Sequence, residues 1–82
     1  MTVSVRLPEL GSPGARVSAW FAEPGERVFE GDRLVEVRLG PATFDVSAPA
    51  TGVLRERGVV VGVEVATGQE LGLIEIDPDE AW

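Results

Sequence analysis

The sequence predicts an all-β domain on three observations. No stretch sustains apolar residues at helical spacing, glycine and proline cut the chain into short pieces, and within those pieces apolar and polar residues alternate. With 82 residues there is room for one domain. A fold of that size buries only roughly 60 to 65 % of the surface its unfolded chain exposes, so its stability margin is narrow.

In the first strand Val3, Val5 and Leu7 alternate with Ser4 and Arg6. Next comes a strand in which Val17, Ala19 and Phe21 alternate with Arg16, Ser18 and Trp20, so the first three are expected on the core face. Trp20 then falls on the polar parity, where its large ring is expected to pack at a sheet edge. Leu10-Gly11-Ser12-Pro13-Gly14 between these strands reads as a loop. A short strand is expected around Arg27 and Val28. Val35, Val37 and Leu39 alternate with Glu36 and Arg38, and Phe44 and Val46 with Thr43, Asp45 and Ser47, which places a hairpin tip at Gly40-Pro41. Strands at Val53 to Arg57, Val63 to Val65 and Leu71 to Ile76 bring the total to eight. Arg55, Glu56 and Arg57 read as solvated charges on an edge strand, which discourages edge-to-edge association. The domain is therefore expected over residues 1–76, and Asp77 to Trp82 form an acidic tail.

The chain also repeats itself. Gly25, Val28, Gly31, Leu34 and Val37 recur as Gly62, Val65, Gly68, Leu71 and Ile74, each thirty-seven positions on. Two copies are too few for a solenoid, so the copies are expected to embrace as two halves of one barrel-like sandwich, roughly residues 3–40 and 41–76. The glycines are expected to supply positive φ at turns, and the apolar positions to fill the core.

Composition narrows the chemistry. With no cysteine and no histidine the chain offers no thiol nucleophile, no imidazole base and no usual zinc ligand set, so neither a catalytic residue nor a metal site is expected. Fourteen acids against seven arginines give a net charge of −7, which argues against a nucleic-acid partner. Met1 to Leu10 lacks the pattern of a signal peptide, and nothing is long enough to span a bilayer, so the expected setting is cytoplasmic with no membrane partner.

Leu7-Pro8-Glu9-Leu10-Gly11, the run from Pro24-Gly25-Glu26 through Gly31-Asp32-Arg33-Leu34, and Ala48-Pro49-Ala50-Thr51-Gly52-Val53-Leu54 follow one another in the order and spacing of a known family. Over residues 3–76 the chain resembles the lipoyl/biotinyl carrier domains, most closely the lipoyl domains of dihydrolipoyl acyltransferases in 2-oxoacid dehydrogenase complexes. The resemblance implies a flattened barrel or sandwich of two four-stranded antiparallel sheets with pseudo-twofold symmetry, the lipoyl/biotinyl hammerhead fold. It also implies a carrier lysine at a hairpin tip reading Asp-Lys-Ala. Here Gly40 takes the aspartate position, Pro41 the lysine position and Ala42 the alanine position, and no lysine occurs anywhere in the chain. Lipoate and biotin are joined through an amide to a primary amine. Proline supplies no nucleophile, and arginine is protonated with a pKa of roughly 12.5 or higher. No attached cofactor is therefore expected, and Gly40-Pro41 is a degenerate attachment turn. A proline is disfavoured at the third position of a type I turn, so the tip is expected either to change turn type or to adopt a cis peptide.

In lipoyl domains the loop corresponding to Leu10, Gly11, Ser12, Pro13 and Gly14 lies beside the carrier turn and helps the partner dehydrogenase recognise the domain. The residues alone also fit an ordinary glycine and proline linker. The function expected is thus non-catalytic: an interaction or assembly module of a 2-oxoacid dehydrogenase-type system, partnered by one of its protein components. The alternatives are a purely structural domain of a larger protein, or an engineered lysine-less carrier.

Overall fold

The computed structural model describes residues 1–76, and the tail expected at 77–82 lies outside them. All eight strands are present: β1 (Thr2–Arg6), β2 (Ala15–Trp20), β3 (Arg27–Val28), β4 (Arg33–Leu39), β5 (Ala42–Ser47), β6 (Gly52–Arg57), β7 (Glu64–Val65) and β8 (Glu70–Ile76). They form two four-stranded sheets, ordered β1-β8-β6-β3 and β5-β4-β2-β7, with every neighbouring pair antiparallel.

Exchanging β1 with β5, β2 with β6, β3 with β7 and β4 with β8 converts one strand order into the other, which is the pseudo-twofold that the repeat predicts. Individual hydrogen bonds obey it. Phe21 N donates to Leu34 O at 2.8 Å, and thirty-seven positions on Gly58 N donates to Leu71 O at 2.8 Å. Gly25 N reaches across to Leu54 O at 2.8 Å, and Gly62 N reaches back to Val17 O at 2.8 Å. The paired turn glycines hold matching left-handed conformations, φ +92° at Gly25 and +96° at Gly62, where a side chain would be strained. Between the sheets Leu34 and Leu71, and Val37 and Ile74, are fully buried as symmetric pairs. Each such side chain contributes about 1.5 to 3 kcal/mol by leaving water.

The core departs from strict alternation at β2. A bulge between Val17 and Ala19 shifts the register against β4, and Ser18 at the bulge donates its hydroxyl to Glu36 Oε1 at 2.7 Å. Parity reverses beyond it, so Ala19 is only half-buried, Phe21 is 38 % exposed, and Ala22 takes the buried place. Trp20 turns inward instead. It packs at the end of the core, where Gly72 of β8 leaves room for its ring, and its Nε1 donates to Val59 O at 3.1 Å. β7 pairs only with Ala15 and Arg16, so at Trp20 strand β2 has a partner on the β4 side alone, and the ring packs at a locally open edge of the sheet as the sequence predicts. On the edge strand β5, Val46 is buried whereas Phe44, on the same face nearer the tip, is 37 % exposed. β6 lies between β8 and β3, but β3 pairs only with Gly52 and Val53, so the exposed residues Arg55 to Arg57 have a partner strand on the β8 side alone, the open edge that the sequence predicts for them. The two arginines are paired: Arg55 Nη1 meets Glu75 Oε1 at 2.7 Å, and Arg57 Nη2 meets Glu23 Oε2 at 3.4 Å.

Candidate functional site

Leu39 and Ala42 are register partners, so Gly40 and Pro41 are the two central residues of a β4–β5 hairpin turn. Gly40 has φ +59°, and no residue other than glycine has a positive φ among the described residues. A positive φ at the first central position alone defines a type II′ turn. Each residue suits its place: glycine carries the positive φ without penalty, and proline supplies a fixed negative φ. The described residues contain no cis peptide, so the tip accommodates proline by changing turn type. Both residues are exposed, and what they present to solvent is a backbone and an aliphatic ring.

The loop from Leu10 to Gly14 lies at the same end of the molecule. It delivers the chain into β2 at Ala15, and Arg16 is the register partner of Arg38, two residues before Gly40. Leu10 on the loop and Leu39 before the tip are both half-buried against the core, which anchors the two segments. Gly11 and Gly14 take φ +94° and +98°, and Gly11 N donates to Glu9 Oε1 at 2.8 Å. Around the loop runs a surface cleft of about 350 Å³, walled on one side by Leu7 and the segment Glu9 to Ala15 and on the other by Glu64 to Thr67. Glu64 on the far wall is paired with Arg16 at 3.6 Å.

The pseudo-twofold shows that this loop is an addition. Gly68 N donates to Leu7 O at 2.8 Å and Gly31 N to Ala48 O at 3.0 Å, which makes Leu7 and Ala48 equivalent. From those residues the chain needs only 49–51 to reach β6, yet uses 8–14 to reach β2. The four extra residues are not needed to connect the strands. The sequence places Gly40-Pro41 at a hairpin tip and Leu10 to Gly14 in a loop, as observed, and gives no sign of the opposite wall, Glu64 to Thr67. Aligning the two halves through Leu7 and Ala48 as well as through the glycines would have exposed the insertion.

The one primary amine of the 82 residues is the Met1 α-amino group, since no lysine is present. It is held by Glu75 Oε2 at 2.7 Å. Ile76 N donates to Met1 O at 2.9 Å, and the pseudo-twofold makes this pair the counterpart of Leu39 and Ala42. The amine therefore sits at the end of the barrel opposite the tip. The ammonium, joined by Arg55, holds the Glu75 carboxyl below its ordinary range.

Comparison with known proteins agrees with this architecture. The family model described as "Biotin-requiring enzyme", which covers biotin and lipoyl domains, matches residues 3–74, and the chain belongs to that family. Within it the chain is of the lipoyl-domain type found in 2-oxoacid dehydrogenase acyltransferases. It is 29 % identical over its whole length to a dihydrolipoyllysine-residue succinyltransferase component of the 2-oxoglutarate dehydrogenase complex from Rickettsia typhi, of which it covers 22 %. Over 78 % of its length it is 35 % identical to the pyruvate dehydrogenase complex protein X component of Chaetomium thermophilum, of which it covers 17 %. The chain thus spans about a fifth of the length of these relatives. The solved lipoyl domain of the 2-oxoglutarate dehydrogenase complex from Azotobacter vinelandii superposes with a TM-score of 0.68 at 26 % identity, covering 94 % of this chain and 99 % of that one.

Proposed function

We propose that this domain is a non-acylated docking module of a 2-oxoacid dehydrogenase-type assembly. It retains a recognition face beside the hairpin tip but lacks the group on which a lipoyl or biotinyl arm is built. The observation that carries the reading is Pro41 at the second central position of a type II′ turn, with Gly40 before it. Amide formation with a lipoyl or biotinyl carboxyl needs an unprotonated amine at the crest, and neither residue has one. The amine of Met1 is at the far end and ion-paired, so the residues present do not fit either cofactor. No step of acyl transfer runs through this chain, and it has no histidine or cysteine with which to catalyse one.

Docking is supported by what the chain keeps. The four-residue insertion and its cleft are surplus to the fold and lie beside the tip, which is where a partner reading both segments would bind. The test is a titration of the chain against a purified 2-oxoacid dehydrogenase component. A variant in which residues 8–14 are replaced by the shorter connector Pro49-Ala50-Thr51 serves as the control. The parent chain should bind, and the variant, folded by circular dichroism, should bind at least tenfold more weakly. Equal affinity, or none for either, would count against a docking role and for a purely structural one.

A further inference from the structure

The pseudo-twofold provides an internal control for surface residues. Where one half carries a polar side chain on the same backbone, an apolar counterpart in the other half is not there for the fold. The segments Ala22-Glu23-Pro24-Gly25-Glu26 and Val59-Val60-Val61-Gly62-Val63 are such a pair. Ala22 and Val59 are both buried, and the turns close alike, Glu26 N to Glu23 O at 3.0 Å and Val63 N to Val60 O at 3.3 Å. Glu23 and Glu26 in one turn are Val60 and Val63 in the other, while Val61 stands where the first half has Pro24. Val60 is 70 % exposed, Val61 60 % and Val63 38 %.

Val60 and Val61 border a groove of about 320 Å³ whose other lining residues are Trp20, Pro24, Arg57 and Val59. Trp20 and Arg57 are symmetry mates, as are Pro24 and Val61, so the groove lies on the pseudo-twofold axis. Its aromatic floor is fixed by the hydrogen bond from Trp20 Nε1 to Val59 O.

We propose that Val60 and Val61, with this groove, form a second docking surface. Its occupant is a partner protein whose apolar contact is flanked by lysine or arginine side chains. Charge selects that occupant. The arginines beside the turn are already engaged, Arg57 with Glu23 at 3.4 Å, and Arg16 with Glu64 at 3.6 Å and with the Gly62 carbonyl at 3.0 Å. Those pairs neutralise Glu23 and Glu64 along with the arginines, so the charge that steers an approaching partner is the remaining excess of acids over the chain, whose net charge is −7. A second copy would bring the same charge. Two exposed valines beside one groove also fall well short of the roughly 800 Å² per partner that a stable dimer buries. This surface is separate from the loop beside the tip, so its failure would leave the docking reading of that loop untouched.

The test uses two synthetic peptides, one alternating leucine with lysine and one alternating leucine with glutamate, followed by NMR of the labelled chain. The lysine peptide should shift the Trp20 indole N–H and the amides of 59–63, and leave those of 10–14 in place. The triple substitution Val60→Glu, Val61→Pro, Val63→Glu installs the residues that the first half already uses on this backbone. It should weaken the peptide at least tenfold. Because it adds negative charge, a contact that was merely electrostatic would tighten instead. Shifts scattered over the acidic surface, an equal response to the glutamate peptide, or unchanged affinity in the variant would overturn the proposal. So would dimerisation in sedimentation that the triple substitution abolishes, which would assign the face to a second copy.

Discussion

Substituting Gly40 alone by aspartate should destabilise the domain, and adding Pro41→Lys should restore most of the loss. With Pro41 in place the turn is held as type II′, and the residue before it must keep φ near the +59° of Gly40. No atom lies within 4 Å of where a Cβ would stand at this position, so steric contact costs nothing and the penalty is that of the backbone alone. For a non-glycine residue in this region that is about 1 to 3 kcal/mol. An 82-residue domain is stable by about 4 to 12 kcal/mol in total, so the single substitution removes a sizeable share. Each kcal/mol should lower Tm by roughly 4 to 8 °C. Lysine at 41 frees φ and allows the turn to change type, so the two substitutions should be strongly non-additive. Urea unfolding followed by far-ultraviolet circular dichroism on the parent, both singles and the double measures this directly. A neutral Gly40→Asp, or additive effects in the double, would refute the assignment of strain to the glycine-proline pair.

Two further outcomes follow from the symmetry and from the charges. Leu34→Ala and Leu71→Ala remove equivalent, fully buried side chains, so each should cost about 3 kcal/mol and the two should agree within about 1 kcal/mol by urea unfolding; a much larger gap would mean that the halves do not share the core equally. Glu75 is held below its ordinary value in the folded chain by the Met1 ammonium and then by Arg55. Its contribution to stability is therefore fully present above the unfolded carboxylate pKa, about 4.3, and is lost as pH falls through the lower folded value. Glu75→Gln should lower the urea midpoint at pH 7 and lower it less at pH 3, whereas an equal difference at both pH values would contradict the ion pair.

The repeat was the most informative feature of the sequence, because a thirty-seven-residue offset carried by glycines and aliphatics reports both turn conformation and core position. Its glycines hold positive φ and its aliphatics are buried in symmetric pairs. Alternation was a weaker guide. It could not foresee the bulge at Ser18, which reverses parity, brings Trp20 inward and leaves Phe21 outside under the Arg33 guanidinium, 4.1 Å from its ring. Nor could it give the strand order, which is set by contacts far apart in the chain. Of the candidate site, Gly40, Pro41 and the loop from Leu10 to Gly14 were legible as turn residues. The second wall of the cleft was not, because Glu64 to Thr67 meet the loop only through the crossing of the two halves.

The measurement that bears most directly on the central claim is mass spectrometry after incubation with lipoate ligase, ATP and lipoate. The parent chain should remain unmodified, and the folded double variant Gly40→Asp, Pro41→Lys should gain one lipoyl increment, because the strands on either side of the tip are kept and the ε-amine is what is missing. A lipoyl increment on the parent chain would contradict the account outright.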